Sequence, residues 1–201
     1  MHILDFLFPP RVDERVLRGV SVEAFLAHIS PRLVDETRPE TVALLPFAAP
    51  PVRAALHEAK YHGSEHAFTL LGSVLAEYLL DTGEHVRTPL IIPVPLSTLR
   101  KKERGYNQVE EVAKRAGRVA GMPLMSALLI RTRDTASQVS LPRHERVRNM
   151  RGAFRAPSPL DPLPTYILVD DVLTTGATLQ AAVDALEKAG ARQVVPIALA
   201  H

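Results

Sequence analysis

The residues best suited to chemistry are two adjacent carboxylates, Asp170 and Asp171, which end an apolar run and precede a small turn rich in hydroxyl groups. The turn consists of Thr174, Thr175, Gly176, Ala177 and Thr178. Because these side chains are small, the backbone N–H groups can approach an anion at the positive end of a following helix. The carboxylates need a ligand with hydroxyl groups or positive charge. A sugar phosphate satisfies both requirements.

The elements around these residues are predicted to be a strand, a turn and a helix. The apolar run 166–169 lies between Pro164 and the acids, which is typical of a strand buried on both faces in a parallel sheet. Apolar residues then recur at helical spacing from Leu179 to Leu186, and Gly190 follows as a stop signal. Open α/β sheets bind ligands at the carboxyl ends of their strands, so the acids and the turn are the predicted site. The competing interpretation is a strand–turn–helix crossover with a polar corner and no ligand.

Residues 166–178 resemble the signature of type I phosphoribosyltransferases, in which an apolar strand, an acid pair, two apolar residues and Thr-Thr-Gly-x-Thr follow one another. The resemblance implies a parallel α/β sheet flanked by helices. It also implies that Asp170 and Asp171 hold the ribose hydroxyls of 5-phosphoribosyl 1-pyrophosphate (PRPP) and that turn 174–178 binds its 5-phosphate. Hypoxanthine-guanine enzymes of this fold carry an acid where this chain has Thr174, so their purine chemistry is not supported.

Length and composition limit the number of domains and the kinds of site. The chain has 201 residues, 46% of them hydrophobic, which suits one α/β domain with a small appendage. We expect a helical appendage or hood over residues 1–41 and a phosphoribosyltransferase-like domain over 42–201. The absence of cysteine excludes disulfides, thiol catalysis and a cysteine-ligated zinc site, so no zinc is expected. The first ten residues lack a basic start and a long apolar run, which predicts a cytoplasmic protein without membrane insertion.

Positive charge is concentrated in one part of the chain. Residues 100–155 hold 14 of the 24 lysines and arginines but only 5 of the 22 acids. This asymmetry indicates a face that handles polyanions such as pyrophosphate or nucleic acid. A solvated basic surface without a ligand is the alternative interpretation.

The rest of the chain reads as an alternation of helices and strands. Helices are predicted over residues 12–29, over 50–60, after Ser64 and after Gln108, and strands over 40–47, 90–95, 127–130 and 194–199. His57, His62 and His66 lie close in sequence, but Gly63 separates their elements and no carboxylate completes a set, so no metal site is predicted there.

Two further segments supply candidate phosphate ligands. The predicted strand 90–95 is followed by a basic loop, in which the candidate pyrophosphate-binding residues are Pro95, Leu96, Arg100 and Arg104. The segment after residue 130 is polar and is expected to be a mobile loop or a short hairpin and helix. It would close over the ligand with Arg131, Arg133 and Gln138.

Three separated stretches resemble the ComF family, phosphoribosyltransferase-like proteins linked to competence and DNA uptake. They are Lys60-Tyr61-His62-Gly63; Pro93-Val94-Pro95-Leu96 with Arg104-Gly105-Tyr106-Asn107-Gln108; and Arg131-x-Arg133-x-Thr135-x-x-Gln138-x-x-Leu141 leading to Arg148-Asn149-x-x-Gly152-Ala153-Phe154. Members of that family typically begin with a four-cysteine zinc module, which this chain lacks. Functions of that module therefore do not carry over.

The leading hypothesis is a protein that binds PRPP with Mg²⁺ and transfers the phosphoribosyl group to a nitrogen nucleophile, releasing pyrophosphate. Mg²⁺ would be held chiefly by the ligand and waters, with Asp170 and Asp171 contacting it directly or indirectly. No residue is a convincing general base, so a non-catalytic module that binds PRPP or a nucleotide is the first alternative. The second is an adaptor for single-stranded DNA or DNA-uptake proteins, although aromatics make up only 5% of the chain. The acceptor is left open, and so is the oligomeric state, including a homodimer.

Overall fold

The computed structural model describes residues 11–83, 87–133 and 148–201. The helices are α1 (Val12–Leu17), α2 (Val22–Leu26), α3 (Pro50–Tyr61), α4 (Glu65–Gly83), α5 (Thr98–Arg104), α6 (Gln108–Ala120) and α7 (Ala177–Lys188). The strands are β1 (Arg32–Val34), β2 (Thr41–Leu45), β3 (Pro89–Pro93), β4 (Ile130–Arg131), β5 (Phe154–Arg155), β6 (Thr165–Val172) and β7 (Gln193–Ala200). Among these helices, none is long and apolar enough to cross a membrane.

Five strands form the main sheet, in the order β1-β2-β7-β6-β3. Strands β2, β7, β6 and β3 are parallel, and β1 adds an antiparallel edge beside β2. Strand β6 lies between two parallel neighbours, with Leu168 paired to Ile92 of β3 and to Pro196 of β7. This arrangement confirms the predicted parallel α/β sheet and the buried strand before the acid pair.

Two hydrophobic cores cover opposite faces of the sheet. Helices α3, α4 and α6 pack on the face that receives Ile167 and Val169 of β6. Helix α7 packs on the other face, which receives Tyr166 and Leu168. Since successive side chains of a strand point to opposite faces, each acid that follows continues one of these two rows.

The predicted single helix over residues 12–29 is wrong. The segment forms two short helices, and Gly19 between them has φ +81°, a left-handed conformation that breaks the helix. The Ser21 hydroxyl accepts a hydrogen bond from Ala24 N–H and starts α2 afresh. Phe25 of α2 is fully buried in the core beside α4.

The predicted core strand 127–130 is also wrong. Residues 123–125 already cover the outer edge of β3, because Ile91 N–H donates to Pro123 O and Met125 N–H donates to Ile91 O. The chain then turns, with Leu128 N–H donating to Met125 O. Only Ile130 and Arg131 are extended, and they pair with β5 in a separate two-stranded sheet. The apolar spacing of residues 127–130 therefore reflects packing of a turn.

Helix α5 lies in the segment that the sequence predicts to be a basic loop. Ser97 caps it by accepting a hydrogen bond from Arg100 N–H, and Gly105 ends it with φ +79°. None of its residues is buried. Because it has no apolar stripe, the hydrophobic periodicity that predicts helices gave no signal here.

Replacing Phe25 with alanine tests whether the segment before residue 41 is integral to the fold. Removing a fully buried phenyl ring should lower the free energy of unfolding by about 3 kcal/mol. Leu33→Ala is the matched control, because Leu33 is 65% exposed and its truncation should change stability by less than about 0.5 kcal/mol. Urea denaturation of both variants measures the difference. Equal midpoints would show that this segment does not contribute to the core.

Candidate functional site

The acid pair lies at the carboxyl end of β6, as predicted. Asp171 is 9% exposed, whereas Asp170 is half-buried. Asp171 N–H donates a hydrogen bond of 2.9 Å to Asp170 Oδ1, so the backbone partly compensates the first carboxylate. By strand alternation, Asp171 continues the row of Ile167 and Val169 and faces the α3, α4 and α6 side of the sheet.

Two side chains from that side bind Asp171. Lys60, in the last turn of α3, places its Nζ 2.9 Å from Asp171 Oδ2. Gln108, the first residue of α6, donates from Nε2 to the same oxygen at 2.5 Å. Asn107 caps α6 by accepting a hydrogen bond from Val109 N–H, and this cap fixes where Gln108 enters the site.

Arg104 extends this network outward from the acid pair. Its Nη1 donates to Gln108 Oε1 at 2.8 Å, so Gln108 connects Arg104 to Asp171. The Arg104 guanidinium also lies 5.2 Å from the centroid of the Tyr61 ring. Arg104, a predicted pyrophosphate-binding residue, is therefore connected to the acid pair through the neutral amide of Gln108. Its guanidinium lies beside Tyr61 of α3.

The two neighbouring acids have opposite pKa shifts. Burial raises the pKa of Asp170 to about 7, and the negative charge of Asp171 adds to this effect. Burial also acts to raise the pKa of Asp171, but the Lys60 ammonium and the hydrogen bonds from Lys60 and Gln108 outweigh it. The pKa of Asp171 therefore lies below its ordinary value. Near neutral pH, Asp171 is ionised while Asp170 titrates.

The turn after β6 has the features of an anion site. Leu173 N–H donates to Ala200 O, and Gly176 then adopts φ +69° immediately before α7. Gly176 has no side chain, so the N-cap residue of α7 provides no side-chain acceptor for the helix start. Thr175 Oγ1 is buried and has no hydrogen-bond partner in the described part of the chain. A recess of about 10 Å³ inside residues 172–179 has room for roughly one oxygen atom of a ligand.

The loop between β1 and β2 packs against this turn. A Cβ atom on Gly176 would collide with the backbone carbonyl of Glu36. Arg38 N–H donates to Gln180 Oε1 at 2.6 Å, and Gln180 Nε2 donates to Arg38 O at 3.1 Å. A 220 Å³ cavity opens beside the turn between Glu36 and Arg151. The segment before residue 41 thus contacts the start of α7.

A larger cavity of 580 Å³ lies next to the loop after β3. Its lining includes the predicted residues Pro95, Leu96 and Arg131, and it also includes Lys101 and Lys102. The loop is held because Val94 N–H donates to Val169 O and Asn107 Nδ2 donates to Val94 O. Arg100 is not among the described residues that line this cavity.

The predicted mobile segment lies outside the described residues from 134 to 147, whereas Arg131 and Arg133 are described. Arg131 lies in β4 with its guanidinium 5.6 Å from the Phe154 ring centroid, and its charge acts to lower the pKa of Asp170. Arg133 donates from Nη2 to the carbonyls of Asn149 and Arg151 at 2.9 Å each. Gln138 lies outside the described residues. The structure thus brings Arg131 toward the acid pair and holds Arg133 against residues 149–151.

Sequence reasoning missed the roles of Lys60 and Gln108. Both belong to stretches that carry the family resemblance. The sequence, however, predicts for Lys60 only a place at the end of one helix and for Gln108 only a place at the start of another. The signal that could have found them is the acid pair itself, since a buried carboxylate requires hydrogen-bond donors and a counter-charge. Sequence spacing alone cannot say which donors those are.

A solved structure and three curated proteins are similar to this chain. Adenine phosphoribosyltransferase from Leishmania tarentolae aligns over 93% of this chain and 72% of its own length. The sequence identity is 16% and the TM-score is 0.37. The DNA utilization protein YhgH of Salmonella typhimurium is 34% identical over 149 residues, or 72% of this chain and 65% of that protein. Competence protein F of Haemophilus influenzae is 34% identical over 106 residues, or 52% and 46%. Competence protein ComFC of Streptococcus pneumoniae is 31% identical over 130 residues, or 65% and 56%.

The chain therefore spans less than two thirds of the length of these relatives. The phosphoribosyl transferase domain model matches residues 71–201, which include the acid pair, the turn and α7. The names of the relatives agree with the ComF resemblance, and the parallel sheet agrees with the type I fold. The chain belongs to the phosphoribosyl transferase domain family, as a member similar to the ComF proteins.

Proposed function

We propose that this protein binds PRPP, or a related sugar phosphate, and transfers its phosphoribosyl group to a nitrogen nucleophile with release of pyrophosphate. The observation that carries the proposal is the adjacency of a buried acid pair and an uncapped helix start with an orphaned hydroxyl at Thr175. Buried polar groups are normally satisfied. A ligand phosphate would accept from Thr175 Oγ1 and from backbone N–H groups at the start of α7.

The two acids would hold the ribose. Asp171, which is ionised, would accept from a ribose hydroxyl through its Oδ1, since Oδ2 already accepts from Lys60 and Gln108. Asp170 would accept from the second hydroxyl when it is ionised. In the reaction, the C1–nitrogen bond forms as the C1–oxygen bond breaks, the electron pair of that bond leaves with pyrophosphate, and the nucleophile releases one proton to solvent. Positive charge develops on the ribose, so fixed carboxylates beside it stabilise the transition state.

Pyrophosphate would leave toward the 580 Å³ cavity. Lys101, Lys102 and Arg131 line that cavity, and Arg131 also lies close enough to Asp170 to affect its pKa. Cations in this position stabilise the negative charge that accumulates on the leaving group. Arg100 and Arg104 belong to α5, the helix that also carries Lys101 and Lys102, and are proposed as a second layer of positive charge.

The residues present also fit a bound Mg²⁺. Carboxylate oxygens suit this hard cation, and Asp170 together with Asp171 Oδ1 could hold it directly or through waters. When bound, Mg²⁺ neutralises charge on the phosphate oxygens of the ligand. Lys60 already neutralises Asp171 Oδ2. We therefore expect Asp170 to be the acid whose protonation state depends more strongly on the metal.

A nucleic-acid adaptor is the second candidate, and the basic face of α5 favours it. Lys101 and Lys102 are exposed on this helix, whereas Arg104 is half-buried. Pyrophosphate release over a panel of amines and bases separates the candidates, because binding without turnover supports a non-catalytic module. Affinity for single-stranded DNA that falls steeply with salt would support the adaptor, since phosphate contacts release counterions.

Asp171→Ala should weaken PRPP binding in the presence of Mg²⁺ by at least about tenfold, which corresponds to about 1.4 kcal/mol. The variant loses both the ribose contact and the partner of Lys60. Isothermal titration calorimetry measures the change, and Asp171→Asn, which keeps the volume, guards against misfolding of the alanine variant. Asp81→Ala on the exposed side of α4 is the control and should bind like the native protein. Unchanged binding by both Asp171 variants contradicts the proposal.

Asp170→Asn should make the protein more stable at pH 8 while weakening PRPP binding. The folded pKa of about 7 lies above the ordinary value of 3.8, so ionising Asp170 costs stability as pH rises through this window. At pH 8 the amide should stabilise the fold by on the order of 2 kcal/mol, and near pH 4 the gain should disappear.

Asp171→Asn should change the free energy of unfolding in the opposite direction in the same experiment, so that this variant is less stable than the native protein at pH 8. Its depressed pKa means that the native carboxylate stabilises the fold above its unfolded pKa and loses this effect as pH falls. Urea denaturation between pH 4 and pH 8 follows both variants. If Asp170→Asn were less stable than the native protein at pH 8, the raised pKa of Asp170 would be wrong.

Gly176→Ala should weaken PRPP binding and destabilise the fold more than Gly105→Ala does. Both glycines have left-handed φ angles, +69° and +79°, so alanine costs about 1 kcal/mol of backbone strain at each. Only at Gly176 would the new Cβ meet another group, the Glu36 carbonyl, whereas nothing lies within 4 Å of it at Gly105. Thermal unfolding and PRPP titration compare the two variants. Equal effects would show that the packing of residue 36 on the turn is unimportant.

A further inference from the structure

A second cluster of potential ligands lies at the carboxyl end of α3, apart from the acid pair. His57, Glu58 and His62 each present one ligand atom, and these three atoms all lie within 4.8 Å of one another. His66, which the sequence places nearby, is not in the group. The carboxylate that sequence reasoning found lacking is Glu58, because the helix brings it between the two histidines.

The helix geometry explains why these residues converge. His57 and Glu58 lie in the last turn of α3, and His62 is the residue at its C-cap, with φ −126° and ψ −3°. His62 N–H donates to the Glu58 carbonyl at 3.1 Å, which holds the cap against the helix end. The two imidazole rings stand 5.7 Å apart between centroids, at an interplanar angle of 62°. Their side chains can therefore approach one point from two directions.

Helix α1 supplies an outer layer of hydrogen bonds to two of these residues. Asp13 Oδ2 lies 2.9 Å from His57 Nδ1, which leaves the other ring nitrogen for a metal. Arg11 donates to both oxygens of Glu58, at 3.0 Å and 2.6 Å. Metal-binding histidines usually donate their second ring N–H to a carboxylate, and metal-binding carboxylates are themselves hydrogen-bonded. Asp13 and Arg11 fill these two roles.

The state of Glu58 suits a ligand. Its carboxylate is only 1% exposed, and Arg11 donates to both of its oxygens. Each of its oxygens keeps a further lone pair after binding Arg11. The His57 side chain is 47% exposed and His62 is also exposed, so both can adjust at low cost and leave a face open to water.

We infer that His57, Glu58 and His62 form a binding site for a divalent transition metal ion, with Zn²⁺ as the best match. Two imidazoles and one carboxylate, with water in the fourth position, are a donor set that Zn²⁺ accepts. Zinc bonds of about 2.1 Å place tetrahedral ligand atoms about 3.4 Å apart. The present group, whose atoms lie within 4.8 Å of one another, is close to that spacing, and both of its histidines are exposed.

The position of this site links it physically to the acid pair. Lys60, which binds Asp171, lies between the metal ligands in the same helical turn. The His57 ring also packs 4.7 Å from the Tyr61 ring, against which Arg104 stacks. A bound ion would fix the end of α3 and, with it, the side chain that neutralises Asp171.

The test uses untagged, chelator-treated protein titrated with Zn²⁺ by calorimetry and with Co²⁺ by visible absorption. We expect one ion per chain and an absorption spectrum typical of four-coordinate Co²⁺. His57→Ala and His62→Ala should each lose this binding. Asp13→Ala, which removes the outer hydrogen bond and leaves the three ligands in place, should weaken it by about 10-fold to 100-fold. The readout needs no PRPP and no turnover.

Two matched controls make the result specific. His66→Ala removes an exposed histidine in the first turn of α4 that is outside the group, and it should bind like the native protein. Asp171→Ala should also keep the ion, which separates this site from the acid pair and from the proposed function. The inference is overturned if native protein binds no Zn²⁺, if His57→Ala and His62→Ala bind as tightly as native protein, or if His66→Ala loses as much affinity as they do.

Discussion

Side-chain alternation along β6 is the constraint on which the site depends. Ile167 and Val169 enter the core beneath α3, α4 and α6, and Tyr166 and Leu168 enter the core beneath α7. The same alternation sends two adjacent carboxylates toward different surroundings. Asp171 receives the ammonium of Lys60 and the amide of Gln108, whereas among the described residues Asp170 accepts a hydrogen bond from the backbone N–H of its neighbour. Side-chain alternation therefore gives two adjacent acids different pKa values, and acids with different pKa values are suited to different tasks.

Much of this site is predictable from sequence because it is local. The strand, the acid pair, the turn and the start of α7 lie within thirteen consecutive residues, and burial and helical periodicity predict each of them. Lys60 and Gln108 could not be predicted in the same way, because their contacts with Asp171 span 111 and 63 positions of the chain. A sequence shows that a buried acid needs donors, but only the sheet order shows which helix ends arrive beside it.

The segment before residue 41 illustrates the other limit of sequence reasoning. Its apolar spacing predicts one helix, yet Gly19 divides residues 12–29 into α1 and α2. Different parts of the segment contact different neighbours. Arg11 and Asp13, at the start of α1, contact the end of α3, while the loop after β1 packs its Glu36 carbonyl against Gly176. These contacts place the segment beside the end of α3, which carries Lys60, and beside the turn that precedes α7. Periodicity reports which residues are buried, not which of several surfaces buries them.

The ion pair between Lys60 and Asp171 explains how two adjacent carboxylates are tolerated in this partly buried position. Two adjacent ionised carboxylates in a partly buried position would be costly, because each raises the free energy of the other. Lys60 compensates the charge of Asp171, and Asp170 relieves the remaining repulsion through its raised pKa of about 7. A ligand that brings hydroxyl groups or a cation to Asp170 would stabilise its ionised form and recover that free energy on binding. Asp170, whose ionisation destabilises the free protein, would therefore contribute more free energy to ligand binding than Asp171. Such a conflict between stability and function is common at binding sites.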